Sequence, residues 1–387
     1  MAKKEQSQLL KRIEAGFEFA QQQVRRLVER YPDYLPMYTV QGKWQHTGEK
    51  WTNWCEGFLP GMMWIFHEET GDRYWREKAE HYSRLIEPRK DDRDVHDLGF
   101  LFYHGTYRRW HEATVREGRP DPALREVVHH AGRTLAKRFM PAGNYLRSFV
   151  APDSLFVDIM MNVPVILLTA VETNDSELLD VGSKHCATSR RYLVRGDGST
   201  SHEAMFDLST GECLRQTTHQ GYRGDSCWSR GLAWAIYGFA TSGRILNFIP
   251  WLETSRHCAQ YLMERVSADP VPPWDFDAPE ESRRQKDTSA GAIAACGLFE
   301  LADAQQLVGE KEARQRQHLK EVGLRMVGAL CGPEYLALGD DHWEGILKHG
   351  VYHRNKGLGV DESVMWGEFF FVESLQRALR CLRGLRK

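Results

Sequence analysis

Polar residues open strongly apolar, helix-like runs at six places along the chain: Asn53, Asp97, Asp158, Ser226, Asp287 and Asp361. The steps between them range from 44 to 74 residues in a chain of 387. Such self-similarity signals one supersecondary unit used repeatedly. Two kinds of run alternate. One is apolar on nearly every face, as from Asp158 to Val171, and a helix without a polar face must be buried on all sides. The other is amphipathic. Leu124, Val127, Val128, Ala131 and Leu135 form one stripe, with Arg125, Glu126, Arg133 and Lys137 away from it. Asp121 suits the N-cap of that helix and Pro122 its first position.

The alternation predicts outer helices at 3–31, 72–87, 122–139, 176–193, 245–266 and 310–330. It predicts inner helices at 54–69, 97–111, 158–173, 226–242, 287–305 and 361–379. Pro164 lies beyond the first turn of the third inner helix and predicts a kink there. Six hairpins closed into a ring make an all-α (α/α)6 barrel, read as a single catalytic domain over residues 1–387. Loops entering the inner helices are long and rich in Gly, Pro, Asp and Trp, whereas those leaving, such as Glu69 to Asp72, are short. Long ordered loops therefore gather at one mouth, where function is expected. One of them, Ser201 to Gln216, predicts a small β-hairpin turned at Ser209-Thr210-Gly211.

Composition narrows the classes. A net charge of −2 argues against general affinity for nucleic acid or an anionic membrane surface. Aromatics reach 11%, with 12 Trp, which suits a site that stacks on sugar rings, although core packing accounts for most of them. The eight cysteines show no C-x-x-C and no pairing rhythm, as in a reducing compartment. The first residues lead into an amphipathic helix rather than a signal-peptide core, and no apolar stretch spans a membrane. A cytoplasmic location follows as an expectation. No metal-ligand spacing is found, since His129-His130 falls on an outer helix and reads as solvated. No phosphate-binding loop, dinucleotide fingerprint or nucleophile elbow is present, so no cofactor is expected. Nothing in the pattern sets the oligomeric state.

Candidate chemistry sits at the mouth. His96-Asp97 and Asp158 begin successive inner helices, so both carboxylates are expected to face the cavity. Two carboxylates across a cavity are the usual equipment for acid–base work on sugars, where one must hold a proton and the other must not. Helix N-termini favour the ionised form, while desolvation and a like charge raise one pKa. The plainer reading of an aspartate at a helix start is an N-cap, a role assigned here to Asp287 and Asp361. Arg230 falls one turn into the fourth inner helix with Trp234 on the same face. That pair could grip a carboxylate or could be cation–π packing in the core. His202 and Gln220 lie in the loop before that helix.

At these residues the chain resembles the unsaturated glucuronyl hydrolases of glycoside hydrolase family 88. The matching stretches are Val95 to Phe100, Val157 to Asn162, Asp197 to His202 and Gln220-Gly221-Tyr222 with Asp225 to Phe239. Pro272 to Phe276, Gly359 to Glu362 and Trp366 to Phe370 follow in the same order. The resemblance implies a metal-free hydration of the vinyl ether in a Δ4,5-unsaturated uronate at a non-reducing end. The expected substrate is a small anionic oligosaccharide left by a polysaccharide lyase. It implies Asp158 as the group that protonates C4 and assists water at C5, with Asp97 as its partner. His96, His202, Gln220, Arg230 and Trp234 match positions lining the uronate subsite, and Trp54 and Phe149 match its stacking aromatics. Phe149 stands where Trp is expected, and Leu358 stands where members favouring sulfated disaccharides carry Lys. Related readings are an unsaturated rhamnogalacturonyl hydrolase, a His-dependent sugar isomerase or epimerase on the same barrel, and a non-catalytic sugar-binding barrel.

Overall fold

The structure is a computed structural model that describes residues 3–47, 52–304 and 310–384. The helices are α1 (Lys3–Arg30), α2 (Phe58–Thr70), α3 (Arg73–Ile86), α4 (Tyr107–Arg116), α5 (Pro122–Ala136), α6 (Pro164–Thr173) and α7 (Ser176–Leu193). They continue as α8 (Ser229–Leu246), α9 (Ile249–Arg265), the short α10 (Glu280–Arg283), α11 (Thr288–Ala304), α12 (Glu310–Leu330) and α13 (Met365–Leu382). Inner helices α2, α4, α6, α8, α11 and α13 alternate with outer helices α1, α3, α5, α7, α9 and α12. The ring closes where α13 packs on α1 and α2, giving the (α/α)6 barrel.

Burial follows the two patterns read from the sequence. In α8 every residue from Ser229 to Gly243 is buried, and in α13 every residue from Met365 to Leu379. Outer α3 buries only Trp75, Ala79, Tyr82, Ser83 and Ile86. Each fully buried large apolar side chain contributes roughly 1.5–3 kcal/mol, so the inner ring carries most of the stability. The exits from inner helices are short because a left-handed residue ends one helix and an aspartate caps the next. Gly71 (φ 70°) precedes Asp72, whose side chain accepts from Tyr74 N, and Asn174 (φ 53°) precedes Asp175, which accepts from Glu177 N and Leu178 N. Asp121 caps α5 through Ala123 N, with Pro122 first in the helix, as predicted.

The mouth loops carry short antiparallel strands. These are β1 (Thr39–Val40), β2 (Lys43–Trp44), β3 (Phe139–Met140), β4 (Tyr145–Leu146), β5 (Ser154–Phe156), β6 (Glu203–Phe206), β7 (Cys213–Thr217), β8 (Gly350–His353) and β9 (Leu358–Glu362). The predicted hairpin is β6–β7, and β5 joins it as a third strand. The β8–β9 hairpin was not legible in the helical repeat.

Several openers differ from their predicted role. Asp287 does cap its helix, accepting from Ser289 N at 3.0 Å. Asp361 does not: it lies in β9 at φ 66° and pairs with His349, and the sixth inner helix starts only at Met365. Pro164 introduces no kink, because it occupies the first position of α6 and the preceding 157–161 segment is a separate 3-10 turn. His129 is buried rather than solvated, its Nε2 lying 2.7 Å from Glu172. Among the described residues no helix is long and apolar enough to cross a membrane.

Candidate active site

The inner-helix starts and their entry loops enclose a cavity of about 340 Å³. Its wall includes Asp97, Asp158, His96, Gln220, Arg230, Trp54 and Phe149, seven of the nine residues singled out in the sequence. Asp97 lies just before a π-helical turn, Gly99–Gly105, and Asp158 lies within the 3-10 turn Val157–Met161. Close backbone approach brings the two turns together. A Cβ on Gly99 would sit 2.3 Å from Asn162 Cα, and one on Gly238 would sit 2.2 Å from the Met160 carbonyl oxygen. Only glycine at both positions lets α8 and the first turn close on the second from either side. Asn162, fully buried, ties the turns directly. Its Oδ1 accepts from Phe100 N–H at 2.8 Å, and its Nδ2 donates to the Asp158 carbonyl at 3.3 Å.

Each carboxylate is backed by one imidazole. Phe149 N–H donates to His96 Nδ1 at 3.0 Å, which places the ring hydrogen on Nε2, 3.4 Å from Asp97. His219 N–H and Gln220 N–H donate to His202 Nδ1 at 3.1 and 3.3 Å, which directs its Nε2 to Asp158 at 3.5 Å. His202 does not reach the cavity wall; it is buried behind Asp158. Burial holds the His96 pKa down to about 3, so that ring stays neutral.

The two carboxylates are driven apart in acidity. Burial, reinforced by the charge on Asp158, lifts Asp97 to about 8. Burial also pushes Asp158 upward, but the neighbouring His202, His96 and Arg230 outweigh it and hold the group below its ordinary value. Among the described residues neither turn has a side-chain cap hydrogen bond, so neither carboxylate acts as a helix cap. Near neutral pH the pair titrates as one unit that holds one proton.

Arg230 lines the cavity but is not an open clamp for a ligand carboxylate. Its Nη1 donates to Asp287 at 3.3 Å and to the Val351 carbonyl, and its Nη2 donates to the Tyr352 carbonyl at 2.9 Å and to Gln220 Oε1. Its guanidinium lies between Trp228 and Trp366, 4.4 and 5.2 Å from their rings. This knot fixes Gln220 with its oxygen toward the arginine, leaving the amide N–H2 as the donor side. Trp234, expected at the site, is fully buried below it, 5.0 Å from the Phe100 ring and 5.3 Å from Phe370. Trp54 packs tilted against Trp366 at 4.7 Å and Phe149 packs beside His96 at 5.3 Å, and both line the cavity.

Wall residues outside the predicted site set include Val150, Phe156, His219, Tyr352 and His353, with Lys356 from the loop before β9, where the sequence offers Arg354 or Lys356 in place of the expected Lys. Phe156 and His219 adjoin motif residues and could have been found by extending those stretches. Tyr352 and His353 sit on β8, which the helical repeat concealed. Leu358 is half-buried and packs on the core, so the cation nearest the cavity from that loop is the exposed Lys356. Among the described residues no group of three His, Cys, Asp or Glu side chains is placed to hold a metal ion.

Comparison with known proteins gives the family. The model of glycosyl hydrolase family 88 matches residues 21–298. An unsaturated glucuronyl hydrolase of Bacillus sp. (strain GL1) is 33% identical, over 93% of this chain and 94% of its own. The crystal structure of unsaturated glucuronyl hydrolase from Bacillus sp. GL1, described as responsible for the degradation of glycosaminoglycan, superposes with a TM-score of 0.86 at 31% identity. That match covers 96% of this chain and 97% of the other. A variant of the Streptococcus agalactiae enzyme complexed with dGlcA-GalNAc6S gives a TM-score of 0.77 at 27% identity, covering 94% and 90%. The chain belongs to glycoside hydrolase family 88.

Proposed function

We propose that the protein removes a Δ4,5-unsaturated uronic acid from the non-reducing end of small anionic oligosaccharides by adding water across C4=C5. One observation carries this reading: Asp97, raised to about 8, and Asp158, held below the ordinary carboxylate range, face one aromatic-walled cavity. An acid and a base set apart by their surroundings are what hydration of a vinyl ether requires.

In this reading the pair's single proton reaches C4 through Asp158. The substrate carboxylate, entering beside Asp158, adds a like charge that raises its proton affinity at the expense of Asp97. Asp158 gives the proton to C4 and leaves an oxocarbenium-like centre at C5. Ionised again, it takes a proton from the water that attacks C5, so one H and one OH have been added and the pair is restored. The product is a hemiketal at C5, which opens and expels the neighbouring sugar. His96 and His202 orient the two carboxylates through their Nε2 hydrogens. Trp54 and Phe149 supply ring surface for the sugar faces, and the Gln220 amide donates to the uronate. No disulfide joins any of the eight cysteines, in keeping with action in the cytoplasm on fragments that a lyase has made.

The His-dependent isomerase reading is disfavoured by the same geometry, because His96 is neutral and both its Nδ1 and that of His202 accept backbone N–H groups. The test is a panel of unsaturated disaccharides from chondroitin, hyaluronan, heparin, gellan and pectin, followed by the ultraviolet absorbance of the double bond. Loss of absorbance with release of the second sugar supports the reading. Binding without turnover across the whole panel overturns it.

A further inference from the structure

In the reading above the proton passes from Asp97 to Asp158 before it reaches C4, so Asp97 must carry a charge while buried. A buried carboxylate is costly unless an opposite charge answers it. His96 supplies none, because burial keeps that imidazole neutral. Burial, Asp158 and Asp92 raise Asp97, and the cations that oppose them are Arg89 and Arg138. Arg89 is already matched: its Nη1 donates to Glu56 at 2.7 Å and its Nε to Asp92 at 3.0 Å.

Arg138 is not matched in that way. It follows α5, lies outside the cavity wall and is only 3% exposed. A buried guanidinium is expected to pair with an acid. Among the described residues this one bonds to none. Its Nε donates to the Arg147 carbonyl at 3.1 Å, its Nη1 to the Arg93 carbonyl and its Nη2 to the Ser148 carbonyl at 2.6 Å. The three neutral acceptors satisfy the fork and leave its charge unanswered by contact. Burial and the charge of Arg147 hold its pKa down to about 10, against Asp97, Asp94 and Asp92, so it stays a cation at neutral pH.

The same bonds fix backbone on both sides of the catalytic arm. Arg93 lies shortly before His96 in the chain, and Ser148 precedes Phe149, whose N–H donates to His96 Nδ1 at 3.0 Å. That bond turns His96 Nε2 toward Asp97, 3.4 Å away. One buried side chain therefore clamps the two segments that hold His96 and Asp97.

We propose that Arg138 is a positioning residue, which fastens the His96–Asp97 arm and supplies the positive charge that Asp97 meets once its proton has passed to Asp158. The assignment rests on the uronide-hydrolase reading of the cavity. Arg138 acts through Asp97 and His96 rather than on the sugar.

The experiment compares wild type with Arg138→Gln, which removes the charge and keeps an amide donor, and with Arg138→Lys, which keeps the charge and loses the fork. Turnover of an unsaturated disaccharide is followed across pH, and thermal unfolding checks each fold. Arg138→Gln is expected to lower kcat about tenfold or more, with KM within about threefold of wild type. It should also move the alkaline limb of kcat/KM upward by at least about half a pH unit, because losing a nearby cation favours the protonated carboxyl. Arg138→Lys should leave the limb in place and recover part of kcat. A limb that moves in neither variant, or equally in both, overturns the proposal. If Arg138→Gln cannot fold at all, Arg138 is a structural staple and the proposal also fails. The charge is read without substrate as well. From about pH 8 to about pH 9 the wild-type Asp97 has ionised while that of Arg138→Gln keeps its proton, so the variant should lose stability relative to wild type over that interval. A constant difference there overturns the proposal, whereas a wild type inactive on every unsaturated disaccharide refutes the hydrolase reading instead.

Discussion

Replacing Asp97 by Asn is predicted to stabilise the protein while it abolishes turnover. In the fold, burial and the neighbouring Asp158 lift the Asp97 carboxyl from 3.8 to about 8. In the unfolded chain the carboxyl returns to about 3.9. Between those values the folded chain holds one more proton than the unfolded chain at this position. Stability is then fully present below about pH 4 and is lost as pH rises, at about 1.4 kcal/mol per pH unit, until the folded group itself ionises. Asn has the same shape and no titration. The stability difference between variant and wild type should therefore widen by up to about 4 kcal/mol from pH 5 to pH 8 and then level off. Groups that do not interact with Asp97 are common to both proteins and cancel in the difference, and Asp158, held below its ordinary value, stays ionised across this range. The assay is the unfolding midpoint of both proteins across that range, run beside turnover of an unsaturated disaccharide. A gap that does not change with pH, or a variant less stable than wild type at pH 8, would refute the reasoning. Such a result would mean that Asp97 is ionised in the fold and that the pair carries no proton to give.

Four other outcomes follow from the geometry. The pH profile of kcat/KM should fall above about 8, where Asp97 loses its proton; a profile flat through pH 10 would place the acid elsewhere. Asn162→Ala should lower kcat on the order of 100-fold with KM within about threefold, because it unties the two carboxylate-bearing turns. The same change should cost about 1–3 kcal/mol in denaturant unfolding for the orphaned Phe100 N–H. Arg230→Met should cost about 3–5 kcal/mol, since Asp287 is left buried without its counter-ion, and should also free Gln220; an unchanged midpoint would contradict the knot described here. Gly99→Ala should fail to reach the native state or lose well over 1 kcal/mol, because its Cβ meets backbone 2.3 Å away and backbone cannot give as a side-chain tip can.

Much of the barrel was legible because its signal is periodic. All-apolar runs predicted α8 and α11 within a few residues, and amphipathic stripes predicted α7 and α12 with the observed bounds. The errors came where the chain leaves that period. Leu358 to Glu362 reads as the approach to a helix, but it pairs with Gly350 to His353 as a strand, and Asp361 goes with it. The third inner helix is divided, since Pro164 cannot donate an N–H and begins a new helix after the 3-10 turn that carries Asp158. The carboxylate pair was readable because both aspartates open inner segments. The engagement of Arg230 was not, because its partners Asp287, Val351 and Tyr352 lie 57 to 122 residues away in sequence. Trp234 was placed on the Arg230 face by helical spacing, yet the Phe100 and Phe370 rings enclose it below the cavity floor. Helical spacing fixes which side chains are neighbours on one element, not which of them the rest of the fold leaves open.

The most decisive measurement is hydration of an unsaturated disaccharide in deuterated water, with the product read by NMR, for the wild type and for Asp158→Asn. The mechanism predicts one deuteron at C4 of each released uronate in the wild type. It predicts that Asp158→Asn keeps its fold and loses activity by at least about 1,000-fold, as expected when the group that both donates and accepts the proton is removed. Release of the second sugar with no label at C4, or substantial turnover by Asp158→Asn, would contradict it.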